Sequence, residues 1–98
     1  MANGITGHLF AITGAASGIG LATTQLLAQN RAILSLADKD EEAVQQLSRT
    51  LTDSGVSVYG RRVDVCDREE VEEWLLETVE VFGRKLDGES RWRDIGSD

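Results

Sequence analysis

The chain has 98 residues, of which 41% are hydrophobic and 28% charged, so we expect one globular domain and no second domain. Its net charge of −7 disfavours a nucleic-acid-binding surface, because that surface needs clustered basic residues to neutralise phosphates. No apolar run reaches the ~20 residues of a membrane span, and the first residues lack the pattern of a secretory signal, so we expect a cytosolic protein with no membrane partner.

The first predicted strand leads into a glycine-rich turn. Residues 9–13 form a short apolar run that predicts a buried strand, and T-G-A-A-S-G-I-G follows at residues 13–20. A helical pattern then begins at Ile19 and ends near Asn30, with its apolar face predicted at Ile19, Ala22, Leu26 and Leu27. This order predicts a dinucleotide phosphate site, because glycines let a pyrophosphate approach the backbone and the free N–H groups of the helix face its charge.

The second strand and the second helix are predicted next. Residues 32–37 form an apolar run, and the acidic residues 38–42 that follow favour a helix N-terminus through the helix dipole. The helix is predicted to end before Gly55. Its predicted apolar face consists of Val44, Leu47 and Leu51.

A third strand and a third helix complete the pattern. The strand is predicted from four valines, Val56, Val58, Val63 and Val65. The helix is predicted to start at Asp67, with Glu70 three residues later as in a capping box, and to end at Gly83, packing Trp74 and Phe82 against a sheet. The alternation predicts an α/β fold, a partial Rossmann unit (βαβαβα) with a three-stranded parallel sheet.

Asp38 is the candidate residue for binding ribose. It lies at the end of the second predicted strand, 18 residues after Gly20. A carboxylate there can accept hydrogen bonds from both hydroxyls of an adenine ribose, and it would repel a 2′-phosphate. The alternative is that Asp38 caps the second helix, although Asp40 is available for that role. We therefore expect NAD rather than NADP as the cofactor, and Lys39 is the residue that argues for NADP.

The spacing T-G-x-x-x-G-x-G resembles the amino-terminal part of a short-chain dehydrogenase/reductase. L-A-D at residues 36–38, V-D-V at 63–65 and F-G-R-K-L-D at 82–87 are similar to further family segments, the last with one extra residue. The resemblance covers most of the chain. It implies binding roles for the following residues: Gly14, Ser17, Gly18, Ile19 and Gly20 line the pyrophosphate and ribose, Asp38 binds the adenosine ribose, and Asp64 with Val65 holds the adenine. Ser17 can also cap the helix that follows, and this role is compatible with cofactor binding. For Asp64 the alternative is a solvated acid at the end of a strand.

The same resemblance implies hydride transfer between NAD and an alcohol or ketone in full-length relatives, which supply a serine and a Tyr-x-x-x-Lys pair further along their chains. The single tyrosine here, Tyr59, is followed four residues later by Val63 and not by a lysine. In such a pair the lysine lowers the pKa of the tyrosine, so that it can exchange a proton with the substrate oxygen. We therefore predict a truncated member that carries the dinucleotide-binding half and no catalytic residue.

The end of the chain shows neither helical nor strand period. We predict a partial NAD-binding Rossmann domain over residues 1–88 and a loosely ordered tail over residues 89–98. In the doubly wound order, the outer neighbour of the first strand is the fourth strand, so an end near this point leaves that edge bare. A marginal fold that associates with itself is expected.

Two alternatives to an inactive dehydrogenase part follow from the residues. One is a fragment without catalytic activity that binds NAD or pairs through its open sheet edge. The other is a small enzyme that uses Cys66 or His8, the only cysteine and the only histidine, which the lack of a partnered nucleophile disfavours. We predict that Cys66 is a small buried side chain, and a single cysteine excludes an internal disulfide and a multi-cysteine metal site.

Overall fold

The computed structural model describes residues 5–83 and 88–89, in which strands and helices alternate. The strands are β1 (Leu9–Thr13), β2 (Ile33–Asp38), β3 (Val58–Arg62) and β4 (Gly88–Glu89). The helices are α1 (Gly18–Gln29), α2 (Glu41–Asp53) and α3 (Arg68–Phe82). All strand pairs are parallel, and their order in the sheet is β3-β2-β1-β4. The predicted α/β fold with a parallel sheet is confirmed.

The predicted open edge of β1 is partly covered. β4 pairs with β1 opposite Phe10 and Ala11, in the position that the doubly wound order gives to strand 4. Two residues are too few to show the alternation of apolar and polar side chains by which strands are predicted. Such a short strand is defined only by its main-chain pairing. Glu89, the first residue of the predicted loose tail, belongs to this strand, while residues 90–98 lie outside the described residues.

The sheet separates two hydrophobic cores. Side chains of successive strand residues point to opposite faces, so Leu34 and Leu36 of β2 face α1 and α2, while Ala37 faces α3. The first core contains Ile12, Ala15, Ala28, Ala32, Leu34, Leu36, Val44 and Leu51. The second core contains Ala11, Ala37, Val63 and Trp74. Because β2 is buried on both faces, it reads as a continuous apolar run.

The predicted packing face of α1 is wrong except at Leu27, which packs against the first core. Its buried residues are Thr24 and Ala28, whereas Ile19 and Leu26 are 67% and 58% exposed. Small side chains on the inner face, beginning at Gly20, let the helix backbone approach the sheet closely. A helical pattern gives the spacing of the apolar residues along the helix. It does not show which side of the helix packs on the sheet, so it placed the large apolar residues inside.

The ends of α2 and α3 follow the predicted local signals. Asp40 caps α2 by accepting a hydrogen bond from the N–H of Ala43 at 3.1 Å. Asp67 caps α3 through the N–H groups of Glu69 and Glu70, and Gly83 is the C-cap. The predicted bounds of α3 are therefore confirmed.

A polar cluster fixes α3 to the sheet. Ser35, Trp74 and Thr78 are fully buried between β2 and α3. The indole Nε1–H of Trp74 donates to Ser35 Oγ at 2.9 Å, and Ser35 Oγ lies 2.5 Å from Thr78 Oγ1. The Thr78 hydroxyl also hydrogen bonds the main-chain oxygen of Trp74 at 2.8 Å. Since buried polar groups are costly when unpaired, these bonds hold α3 in one position.

A second cluster joins β3 to the outer side of α3. The Tyr59 hydroxyl donates to Glu77 Oε1 at 2.7 Å, and Arg61 Nη1 lies 3.0 Å from the same oxygen. Burial, reinforced by the bond to Glu77, raises the pKa of Tyr59 to about 12. The hydrogen bond from Tyr59, and after it the hydrogen bond and charge of Arg61, lower the pKa of Glu77, although partial burial opposes this.

No helix among residues 5–83 combines the length and the apolar character needed to cross a bilayer.

Candidate functional site

The glycine turn connects β1 to α1. Gly14 and Gly18 have φ of 60° and 56°, the left-handed region that favours glycine. Ser17 occupies the N-cap position of α1 with extended backbone, but its hydroxyl makes no capping hydrogen bond within the described chain. The suggested capping role of Ser17 is therefore wrong. The first N–H groups of α1 have no acceptor inside the helix, which leaves them available to an anion.

Gly20 allows the turn to lie directly against the first turn of α1. A Cβ atom at this position would overlap the carbonyl oxygen of Gly14 and would come within 2.6 Å of its carbonyl carbon. It would also lie 3.1 Å from the carbonyl oxygen of Thr13. A side chain at position 20 would therefore push the turn away from the helix.

The Asp38 carboxylate holds the turn against the end of β2. Its Oδ2 accepts from the N–H of Ala16 at 3.0 Å, and its Oδ1 accepts from the N–H of Asp40 at 3.0 Å. Asp40, and not Asp38, supplies the side-chain cap of α2. A carboxylate has about four acceptor positions, so Asp38 keeps capacity for further hydrogen bonds.

Residues 63–66, which we call the Asp64 loop, connect β3 to the N-cap of α3. The N–H of Asp64 donates to Glu70 Oε1 at 3.0 Å. Asp64 Oδ1 accepts from the N–H of Cys66 at 2.9 Å, and the Asp64 carbonyl accepts from the N–H of Asp67 at 2.9 Å. These bonds leave the side chain of Val65 52% exposed.

The carboxyl ends of β1, β2 and β3 meet at a cleft of about 290 Å³. Its walls are formed by Gly14, Ser17, Asp38, Lys39, Val63, Asp64, Val65 and Cys66. Five of the predicted site residues, Gly14, Ser17, Asp38, Asp64 and Val65, thus line the same cleft. Gly18, Ile19 and Gly20 do not line the cleft but form the first turn of α1 beside it. A cleft beyond the carboxyl ends of parallel strands is where open α/β sheets bind ligands.

The structure adds Lys39, Val63 and Cys66 to the residues that line the cleft. The prediction that Cys66 is buried is wrong, because β3 ends at Arg62 and the chain leaves the sheet before residue 66. The N-cap signal at Asp67 could have shown this, since it places the preceding residues in a loop between a strand and a helix.

The alternative of a small enzyme built on His8 and Cys66 has no geometric support. His8 precedes β1 at the amino edge of the sheet, and Cys66 follows β3 at the carboxyl edge. Strands of five residues at about 3.3 Å per residue keep the two edges more than ~15 Å apart. Among the described residues there is also no group of three histidine, cysteine, aspartate or glutamate side chains that could hold a metal ion.

The sequence profile of the short chain dehydrogenase family matches residues 8–88. The chain is a member of the short-chain dehydrogenase family. It is similar to the short-chain dehydrogenase/reductase aba4 of Botryotinia fuckeliana, with 46% identity over 84 residues, which are 85% of this chain and 32% of that protein. It is also similar to chanoclavine-I dehydrogenase of Claviceps purpurea, with 38% identity over 82 residues, which are 81% of this chain and 31% of that protein.

Solved structures of the family superpose on this fold. A short-chain dehydrogenase/reductase from Burkholderia phymatum in complex with NAD matches with a TM-score of 0.79 and 36% identity, over 83% of this chain and 29% of that one. NADPH-dependent 3-quinuclidinone reductase from Rhodotorula rubra matches with a TM-score of 0.79 and 28% identity, over 87% of this chain and 32% of that one. This chain spans about a third of the length of the curated relatives that it matches, since its share of them is 31% to 32%.

Proposed function

We propose that this short-chain dehydrogenase chain binds NAD through the adenosine diphosphate part of the cofactor and does not itself carry the residues for hydride transfer. The observation that carries the proposal is the Asp38 carboxylate, which is bonded to the glycine turn at Ala16 and lines the same cleft as the Asp64 loop. An acid in that place lies between the position expected for a pyrophosphate and that expected for an adenine.

The charges around the cleft support NAD rather than NADP. A 2′-phosphate carries a charge of about −1.5 to −2 and would lie beside Asp38, and Asp64 lines the same cleft. Lys39 is the one cation in the wall of the cleft, as far as the described residues go, and it is exposed to solvent, which weakens its attraction for a phosphate. The solved relatives include both an NAD complex and an NADPH-dependent enzyme, so membership of the family leaves the choice to these local residues.

Tyr59 does not fit the role of a catalytic acid. Its hydroxyl is bonded to Glu77 on the outer side of α3, and its pKa is raised to about 12 by burial and by that bond. A tyrosine that exchanges protons with a substrate near neutral pH needs a lowered pKa. Alcohol or ketone oxidoreduction by the whole protein therefore depends, in this proposal, on a Tyr-x-x-x-Lys pair that these 98 residues do not contain.

Titration calorimetry with NAD and with NADP tests the proposal. We expect the wild type to bind NAD more tightly than NADP, and Asp38→Ala to weaken NAD binding by about tenfold or more through the loss of charged hydrogen bonds. Asp53→Ala is the matched control, because Asp53 is an exposed acid at the far end of α2. Equal affinity for the two cofactors would remove the role of Asp38, and no binding of NAD at millimolar concentration would refute the proposed function.

A second candidate function is strand pairing with another chain through the β1 edge. The strand at this edge, β4, is two residues long in the described part of the chain and pairs with β1 opposite Phe10 and Ala11. The opposite edge is protected, because the outward carbonyl of Gly60 accepts from Gln45 Nε2 at 3.0 Å and that of Arg62 accepts from Arg61 Nε at 3.1 Å. Size-exclusion chromatography with light scattering tests this, and a monomer at micromolar concentration would contradict it.

A further inference from the structure

We propose that Glu70 is a positioning residue for the nucleotide site, in which its carboxylate holds the Asp64 loop in the shape that receives the cofactor. The inference rests on the proposed function. Glu70 lies in the first turn of α3, and its Oε1 accepts from the N–H of Asp64 at 3.0 Å. Glu70 does not line the cleft itself, but it contacts Asp64, which does line it.

Glu70 is not needed to cap α3. In a capping box, an acid three residues after the N-cap accepts from the N–H of the N-cap residue. Here the N–H of Asp67 donates instead to the carbonyl of Asp64 at 2.9 Å. The Asp67 side chain caps the helix by itself, through the N–H groups of Glu69 and Glu70. The Glu70 carboxylate is therefore free to bond the loop.

The bond is one of three that fix Asp64, through its N–H, its carbonyl and its carboxylate oxygen Oδ1. The carboxylate accepts from Cys66, the carbonyl accepts from Asp67, and the N–H donates to Glu70, its one acceptor among residues 5–83. Because that N–H is partly buried, removing the acceptor favours a rotation of the peptide towards water. Such a rotation turns the Asp64 side chain and shifts Val65, and both of these residues line the cleft.

The acceptor oxygen of Glu70, rather than its charge, is what the loop uses. The only ion pair of Glu70 within the described residues is with Arg62 at 3.8 Å, and the two side chains are 29% and 48% exposed, so this pair contributes little. A glutamine, which keeps an acceptor oxygen and has no charge, is thus expected to replace Glu70.

The test compares Glu70→Ala, Glu70→Gln and the matched control Glu72→Ala, which removes an exposed acid from the same helix. NAD affinity is measured by titration calorimetry, and unfolding temperature is measured alongside. The reaction rate of Cys66 with an aromatic disulfide reports on the loop itself, because Cys66 is exposed and is the only thiol. We expect Glu70→Ala to bind NAD about tenfold more weakly and its Cys66 to react faster than in the wild type. The NAD affinity of Glu70→Gln is expected to lie within about twofold of the wild type, and that of Glu72→Ala is expected to be unchanged.

The outcomes separate this inference from the proposed function. If the wild type does not bind NAD, the proposed function fails. If the wild type binds NAD and Glu70→Ala binds it equally well, only the positioning role of Glu70 is overturned. An equal loss in Glu70→Gln would also overturn it, because the charge would then be responsible. Should Glu70→Ala not fold, amide exchange in the wild type decides: the Asp64 N–H is expected to exchange slowly, and exchange at the rate of a free amide overturns the inference.

Discussion

Gly20→Ala sets two physical effects against each other, with opposite signs for stability. In a helix interior, alanine is more favourable than glycine by about 1 kcal/mol, so helix propensity alone predicts a more stable protein. In this structure the added Cβ would overlap the carbonyl oxygen of Gly14 and would lie 2.6 Å from its carbonyl carbon. Both are main-chain atoms at the end of β1, so no side-chain rotation can relieve the overlap.

The magnitude follows from the two terms. Overpacking costs about 1 to 3 kcal/mol, and the upper end applies because the obstacle is backbone. After the gain in propensity of about 1 kcal/mol is subtracted, we expect Gly20→Ala to lower the free energy of unfolding by about 2 kcal/mol. Because Gly14 lines the cleft, displacement of the turn is also expected to weaken NAD binding by more than about tenfold.

Urea unfolding followed by circular dichroism measures the first effect, and titration with NAD measures the second. Ala22→Gly is the control, since Ala22 lies on the exposed side of α1, two residues further along. That variant should lose about 1 kcal/mol from propensity alone and keep its affinity for NAD. A Gly20→Ala protein that is as stable as the wild type, or more stable, and that still binds NAD would refute the close approach of turn and helix.

Three other substitutions test the fold. Arg31 has φ of 62°, so Arg31→Gly should raise the free energy of unfolding in urea by about 1 kcal/mol, and a loss would show that the arginine side chain stabilises the fold. Ser35→Ala leaves the buried indole N–H of Trp74 without its acceptor. It should lower the free energy of unfolding by about 1 to 3 kcal/mol and change the tryptophan fluorescence. The pKa of Tyr59 rises from an ordinary value of about 10 to about 12 in the folded protein, so the folded state holds the phenol proton more tightly than the unfolded state. The stability that this provides is present below pH ~10 and is lost as the pH rises towards 12, and Tyr59→Phe should remove that alkaline decline in urea unfolding measured at stepped pH.

The elements that sequence predicts best are those with local end signals. The bounds of α3 follow from Asp67 and Gly83, because a cap bonds main-chain groups only a few residues away. β2 was equally readable, since burial on both faces makes its side chains apolar without a break.

Contacts between distant segments could not be predicted from periodicity. The inner side of α1 uses Thr24 and Ala28, and which side of a helix faces the sheet depends on the sheet and not on the helix alone. β4 exists through its pairing with β1, and the exposure of Cys66 depends on where β3 stops.

The candidate site divides in the same way. The glycine turn and Asp38 are readable in the sequence, because their spacing follows from one strand–turn–helix unit and the next strand. The bond from Ala16 to Asp38 spans 22 residues, and the bond from Asp64 to Glu70 takes the place of a capping box that the sequence predicted. Only the folded chain shows that these bonds support the cleft.

The buried cluster of Ser35, Trp74 and Thr78 determines more than the attachment of α3. Hydrophobic contacts alone would let a helix rotate about its axis and shift along the sheet. Hydrogen bonds are directional, so those of one indole and two hydroxyls fix both the rotation of α3 and its position along its axis. Glu70 lies one turn before Trp74 on the same helix, so the fixed position of α3 also determines the orientation of Glu70. The buried cluster under α3 thus determines where the Glu70 carboxylate lies at the surface.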